Sequence, residues 1–214
     1  TAYTLIASKN KKINRLTTDS VVFIDPTLNP DGRDRHSQWA NQYKSINLVA
    51  DSNDAEHNES WPRGRTNHYW FDLNRDWLLA IHPESRGKLN WLHEWYPNVV
   101  LDVHEMGTNS NYFFDPMKSS ASVKPLIPQE NVDLYPIFAE YYVKYMGSIG
   151  SFYYTKESFD ETYPGYGSTY SDLQGGLALL FEQASSRGHV QETNYGEMTF
   201  GFTIRNQFLN GIAT

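Results

Sequence analysis

Cysteine is absent from this chain of 214 residues. That excludes disulfides, thiolate metal sites and cysteine nucleophiles together, while leaving the compartment open. No apolar run approaches the ~20 residues that a membrane-spanning helix needs. Positive charge is also scarce, with 18 Lys and Arg against 25 Asp and Glu and a formal charge of −7. Without a basic stripe to meet a phosphate backbone, nucleic-acid partners are not expected. Position 1 is threonine, and residues 1–8 read as the end of a helix already under way. A processed or trimmed N-terminus is therefore expected, any signal peptide would be invisible, and a periplasmic or secreted location is favoured over the cytoplasm.

What the chain does have is aromatic side chains: 15 Tyr, 11 Phe and 6 Trp, 15% of the residues. That richness suits a lined cleft, and the length fits one domain with a substantial core. Residues 21–24, Val-Val-Phe-Ile, read as a short buried strand, followed by a turn at Asn29-Pro30-Asp31-Gly32. Residues 33–70 are polar and aperiodic and read as one long loop, a length that in a compact domain usually carries function. A helix opens at His82-Pro83 and ends before Pro97, and a buried strand follows over 99–104. Residues 107–128 read as loop, 131–146 as a helix whose first turn Pro136 cuts or kinks, 157–176 as a Tyr- and Gly-rich loop, 177–181 as a buried strand, and 196–212 as a C-terminal helix. Strands alternating with helices give an α/β fold with a mixed, mostly parallel twisted sheet flanked by helices, in a single domain over 1–214.

Several segments stand out chemically. Residues 99–105, Val-Val-Leu-Asp-Val-His-Glu, end a strand on His104 between Asp102 and Glu105, where an imidazole suits a metal ligand or a catalytic base. Arg65, Asp72, Asn74 and Arg75 cluster in an otherwise acidic protein. They can clamp an anionic substrate end, or be a surface loop with Arg75 paired to Asp72 or Asp76. Glu182 is delivered by the strand 177–181 and can serve as a general base, or be the first solvated residue after a strand. Tyr163-Pro-Gly-Tyr166-Gly can swing a phenol onto a substrate, or be a turn of stacked tyrosines. His36, His57, His68, His82, His93 and His189 read as surface or hydrogen-bonding residues.

In chain order, Asn29-Pro-Asp-Gly, Gly64-Arg65-x-Asn67, Asp72-Leu-Asn74-Arg75, Asp102-Val-His104 and Phe181-Glu182 resemble the zinc metallocarboxypeptidase family of the carboxypeptidase A type, over residues 21–183. The resemblance implies one zinc ion, a peptide substrate with a free C-terminal carboxylate, and removal of its last residue. His104 resembles the last of three protein zinc ligands, and Glu182 the general base that activates the metal-bound water. Arg65 resembles the arginine that polarises the scissile carbonyl, and Asn74 and Arg75 the pair that grips the terminal carboxylate. Asp72 resembles the acid that orients a ligand histidine. Tyr163, or next to it Tyr166, resembles the tyrosine that closes over the substrate.

One part of the family pattern is lacking. Its first two zinc ligands come from a His-x-x-Glu motif upstream of Asn-Pro-Asp-Gly, yet no histidine precedes His36. The single literal match, His189-Val-Gln-Glu192, lies after the base. The chain thus reads as a catalytic domain that is N-terminally incomplete, whose 214 residues alone should bind zinc poorly. Rival readings are a zinc amide hydrolase acting on N-acyl amino acids or cell-wall peptides, and an inactive module that binds peptide C-termini.

Overall fold

The computed structural model describes residues 1–118 and 126–214. Helices α1 (Ala2–Ala7) and α2 (Lys11–Asp19) come first, and neither buries a residue. Then follow α3 (Pro30–Tyr43), α4 (Pro83–Trp95), β1 (Val99–Met106), β2 (Tyr112–Phe114), α5 (Gln129–Ser148), β3 (Tyr153–Tyr154) and α6 (Gly167–Tyr170). The chain ends with β4 (Leu177–Ala184), β5 (Val190–Thr193), β6 (Gly196–Thr199) and α7 (Phe200–Ala213). Four strands form one sheet in the order β1-β4-β2-β3, and β5 and β6 form a separate antiparallel pair. β1 runs parallel to β4 and β2 parallel to β3, with β2 antiparallel to β4. The expected mixed, mostly parallel α/β architecture is therefore the observed one.

β4 occupies the sheet's interior, which is why its Leu-Ala-Leu-Leu-Phe run is apolar on both faces. Leu177, Leu179 and Phe181 pack with Tyr112, Phe114, Tyr135, Tyr142 and Met146 on the side covered by α5. Trp77, Leu89, Leu92 and Tyr170 make a second cluster under α4 and α6. Pro136 sits within α5 without ending it.

Several local expectations are corrected. Asn29-Pro-Asp-Gly opens a helix and is no free-standing turn: Asn29 caps α3, its side chain accepting the Gly32 N–H, with Pro30 in the first turn. An Asx cap followed by proline uses the same residues as a turn, so local sequence cannot separate the two. α3 then takes up the first part of the supposed loop 33–70. It escaped notice because it buries only Gly32 and Ala40, leaving no apolar period. Residues 21–24 form no strand and are all exposed, because an apolar run becomes a strand only when it has a partner. β1 is less buried than its sequence suggests, with Val103 52% exposed, because it lies at the sheet's edge. β2 interrupts the loop 107–128, of which residues 119–125 lie outside the described set, and α6 interrupts 157–176. Residues 196–199 are strand, and the last helix starts only at Phe200.

Candidate active site

The parallel pairing of β1 and β4 sets His104 directly beside Glu182, in register. Both side chains project from the same face, because facing positions share a side of the pleat. Asp102, two residues before His104, shares that face, and its Oδ1 lies 2.8 Å from His104 Nε2. Glu105 does not flank the imidazole from the other side as the sequence suggests. Strand alternation turns it away, and its carboxylate accepts from the Ser185 hydroxyl at 2.9 Å. By accepting from His104 Nε2, Asp102 fixes the tautomer and leaves the Nδ1 lone pair free, the orientation a carboxylate commonly imposes on a ligand histidine.

Burial works against charge on His104, but the Asp102 carboxylate and its hydrogen bond outweigh it and raise the imidazole. Asp102 is buried, which alone would raise it, and yet it is lowered by His104, Lys88 and Asn74. Glu182 is pushed up to about 7, chiefly by burial, with His104 and Arg65 pulling the other way. Its Oε2 is buried without a hydrogen-bond partner. A carboxyl poised there exchanges protons readily near neutral pH.

The arginines come from a loop held by the motifs that precede it. Asn29, besides capping α3, donates through Nδ2 to the Arg65 carbonyl at 3.2 Å. A Cβ on Gly32 would lie 2.2 Å from the Gly64 carbonyl, so only glycine allows this approach. Asn67, wholly buried, accepts from the Tyr69 and Phe71 N–H groups at 3.0 Å each. Thus the motif residues around Arg65 shape the loop that presents it. Asp72 accepts from the Asn74 N–H through Oδ1. Its Oδ2 meets Arg65 Nε at 3.1 Å and Arg75 Nη1 at 3.8 Å. In this chain Asp72 therefore orients two arginines, and no histidine contacts it among these bonds.

Asn74 faces inward. Its Oδ1 accepts from the Gly167 N–H at 2.9 Å, which fixes the amide's orientation. Its Nδ2 donates to Asp102 Oδ2 at 3.4 Å and lies 2.9 Å from His104 Nε2, a contact that is no hydrogen bond while Nε2 carries the proton it gives to Asp102. Arg75 lies outside, half exposed, with its guanidinium 4.6 Å from the Tyr166 ring centroid. Tyr163 donates to the Arg75 carbonyl at 3.1 Å and packs edge-on against Tyr166. All eight residues singled out from the sequence thus fall into one connected group.

Lys88 is a neighbour that sequence reasoning missed. It is buried, its Nζ 3.3 Å from the Trp77 ring centroid, and it is lowered to about 8 by burial against the pull of Asp102. The signal was available, since Lys88 shares the buried face of α4 with Ser85, Leu89 and Leu92. His189 is held by Glu56 at 2.6 Å, a residue outside the motif set. Its partner in the literal His-x-x-Glu, Glu192, lies within β5, which begins only after His189.

Among the described residues, no three His, Cys, Asp or Glu side chains are placed to hold a metal ion. His104 offers one nitrogen, and the carboxylates beside it are a hydrogen-bond partner and the candidate base. The residues present do not fit a zinc ion by themselves.

The family model described as zinc carboxypeptidase matches residues 1–207. The catalytic chain of carboxypeptidase N from Homo sapiens is 24% identical over 120 residues, covering 50% of this chain and 26% of that protein. The chain thus matches about a quarter of the length of that relative. No helix among the described residues is long and apolar enough to cross a membrane.

Proposed function

The chain belongs to the zinc carboxypeptidase family, and from that premise we propose that it acts as a carboxypeptidase, releasing the C-terminal residue of peptides. The observation that carries the reading is Glu182, raised to about 7 beside His104 and Arg65 on one face of the sheet. As the general base, Glu182 takes a proton from the water that attacks the scissile carbonyl and returns it to the departing amine. Arg65, fixed by Asp72, donates to the oxygen on which charge develops. Arg75 reads the terminal carboxylate, its free guanidinium edge matching a carboxylate's geometry. Asn74 joins it only when its Nδ2 turns from His104. Tyr163 and Tyr166, packed against Arg75, cover the bound residue.

The family implies zinc. The other ligands it requires come, in this reading, from residues outside 1–214, with His104 Nδ1 as this chain's contribution. Among the described residues β1 has no strand on its outer edge, and residues 21–24 are apolar and exposed. Both features support an N-terminally incomplete catalytic unit.

The full-length protein should carry about one zinc per chain by metal analysis and hydrolyse blocked dipeptides with a free C-terminus. Amidated dipeptides should resist. Equal rates on both would remove the exopeptidase reading and favour a zinc amide hydrolase. One observation favours a module that only binds peptide C-termini, namely that no three-ligand group exists among the described residues. A full-length protein that binds free-carboxylate peptides without zinc or turnover would establish that alternative.

A further inference from the structure

Behind the tyrosine loop, three carboxylates are buried together: Asp115 and Glu161 at 0% exposure and Asp172 at 1%. None of the ion pairs among the described residues includes any of them. Tyr135 of α5, itself 1% exposed, links two of the three. Its phenol oxygen lies 2.8 Å from Glu161 Oε2 and 2.9 Å from Asp172 Oδ2. A phenol has one proton, so it satisfies only one carboxylate as a donor. The other contact is a hydrogen bond only if a carboxyl group donates to the phenol oxygen.

The neighbours decide which one. Asp172 Oδ1 accepts from Asn131 Nδ2 at 2.6 Å and from the Ala178 N–H at 3.0 Å, donors that favour the ionised form. Glu161 has no such donors, and its Oε1 is buried without a partner. Tyr135 therefore donates to Asp172 and accepts from Glu161. Burial raises Glu161 to about 10, and Asp115, Asp172 and the adjacent Asp160 push the same way. These acids and Tyr135 are the titratable groups that face it, from the segment after β2, the turn at Asp172–Gln174, its own loop and α5.

We propose that protonated Glu161 is a positioning residue that anchors the loop 157–166, through Tyr135, so that Tyr163 and Tyr166 stand against Arg75. The anchor rests on the carboxypeptidase reading for its catalytic consequence, though not for its chemistry. The far end of the loop is tied separately: Trp77 N–H donates to the Gly165 carbonyl at 3.3 Å, and Gly167 N–H to Asn74. Glu161 lies two residues before Tyr163, so its carboxyl sets how that side chain leaves the core. Ionising Glu161 removes its donated bond and adds negative charge beside two acids. The folded state holds a proton here that the unfolded chain has lost at neutral pH. The stabilisation it gives is complete only at acidic pH and falls as pH rises towards about 10.

The test compares full-length wild type, Glu161→Gln and Glu161→Ala by melting temperature without substrate, and by kcat and KM, from pH 6 to pH 10. The glutamine amide donates to the phenol oxygen at every pH. Glu161→Gln should therefore melt at or above the wild type near pH 7 and lose much of its decline towards alkaline pH, and its KM should rise less above pH 9. Glu161→Ala should melt lower throughout, with KM raised several-fold. If Glu161→Gln is as damaged as Glu161→Ala, or keeps the wild-type pH dependence of melting, the protonated anchor is wrong. Millimolar calcium that raises melting of wild type alone would replace the proton by a cation and overturn the proposal. Should no variant hydrolyse peptides, the melting profiles still decide on the anchor, and only the carboxypeptidase reading falls.

Discussion

Gly167 gives the sharpest test of how the site is held. A Cβ built there would lie 2.6 Å from Asp102 Oδ2, 2.8 Å from Trp77 Cζ2 and 2.9 Å from Asp102 Cγ, where ordinary contact begins at 3.4 Å. Trp77 cannot retreat freely, being buried against Leu89 and Tyr170 with Lys88 over its ring. Asp102 is held by His104 through Oδ1 and by Asn74 through Oδ2, so yielding space costs one of those bonds. Overpacking of about 1–3 kcal/mol and a weakened charged hydrogen bond together predict that Gly167→Ala destabilises by about 2–5 kcal/mol. For a domain of this size that is a fall of roughly 4–20 °C in melting temperature. Chemical denaturation in urea measures the free energy directly. Gly87, inside α4, is the internal control, because a Cβ added there would meet no atom within 4 Å. Gly87→Ala should gain up to about 1 kcal/mol from helix propensity. A Gly167→Ala protein as stable as wild type, with unchanged hydrolysis, would refute the close packing of α6 on Asp102.

Glu182→Gln in the full-length protein should lower kcat by about 10²–10⁴-fold while leaving zinc content unchanged, and parental turnover in this variant would end the general-base role. Because the base works ionised and Glu182 is raised to about 7, kcat/KM should fall as pH drops through that region, and a flat profile between about pH 5 and 8 would contradict it. Arg75→Ala should raise KM for peptides with a free C-terminus far more than it lowers kcat, as initial-rate measurements will show. An unchanged KM would mean that another group reads the carboxylate. His104→Ala should strip zinc from the full-length protein, and full retention on metal analysis would show that the imidazole is no ligand.

The sequence by itself determined the elements whose signal is local. β4 reads as a buried strand because it is apolar on both faces, α4 reads as a helix because His82-Pro83 opens it and Pro97 stops it, and α5 because its apolar positions recur at helical spacing. Motif order likewise marked Arg65, Asp72, Asn74, Arg75, His104 and Glu182 as one set, and the fold joins them. What depends on a partner was decided only by the tertiary structure. Residues 21–24 are apolar yet unpaired and exposed, while Tyr112–Phe114 is too short to show a period and becomes strand because β3 and β4 lie beside it. Asn74 and Glu161 carry no motif-level sign of their bonds, since each partner lies between 26 and 93 residues away. Even for His104 the sequence offered two flanking acids. The pleat chose Asp102, because side chains two apart share a face and adjacent ones do not.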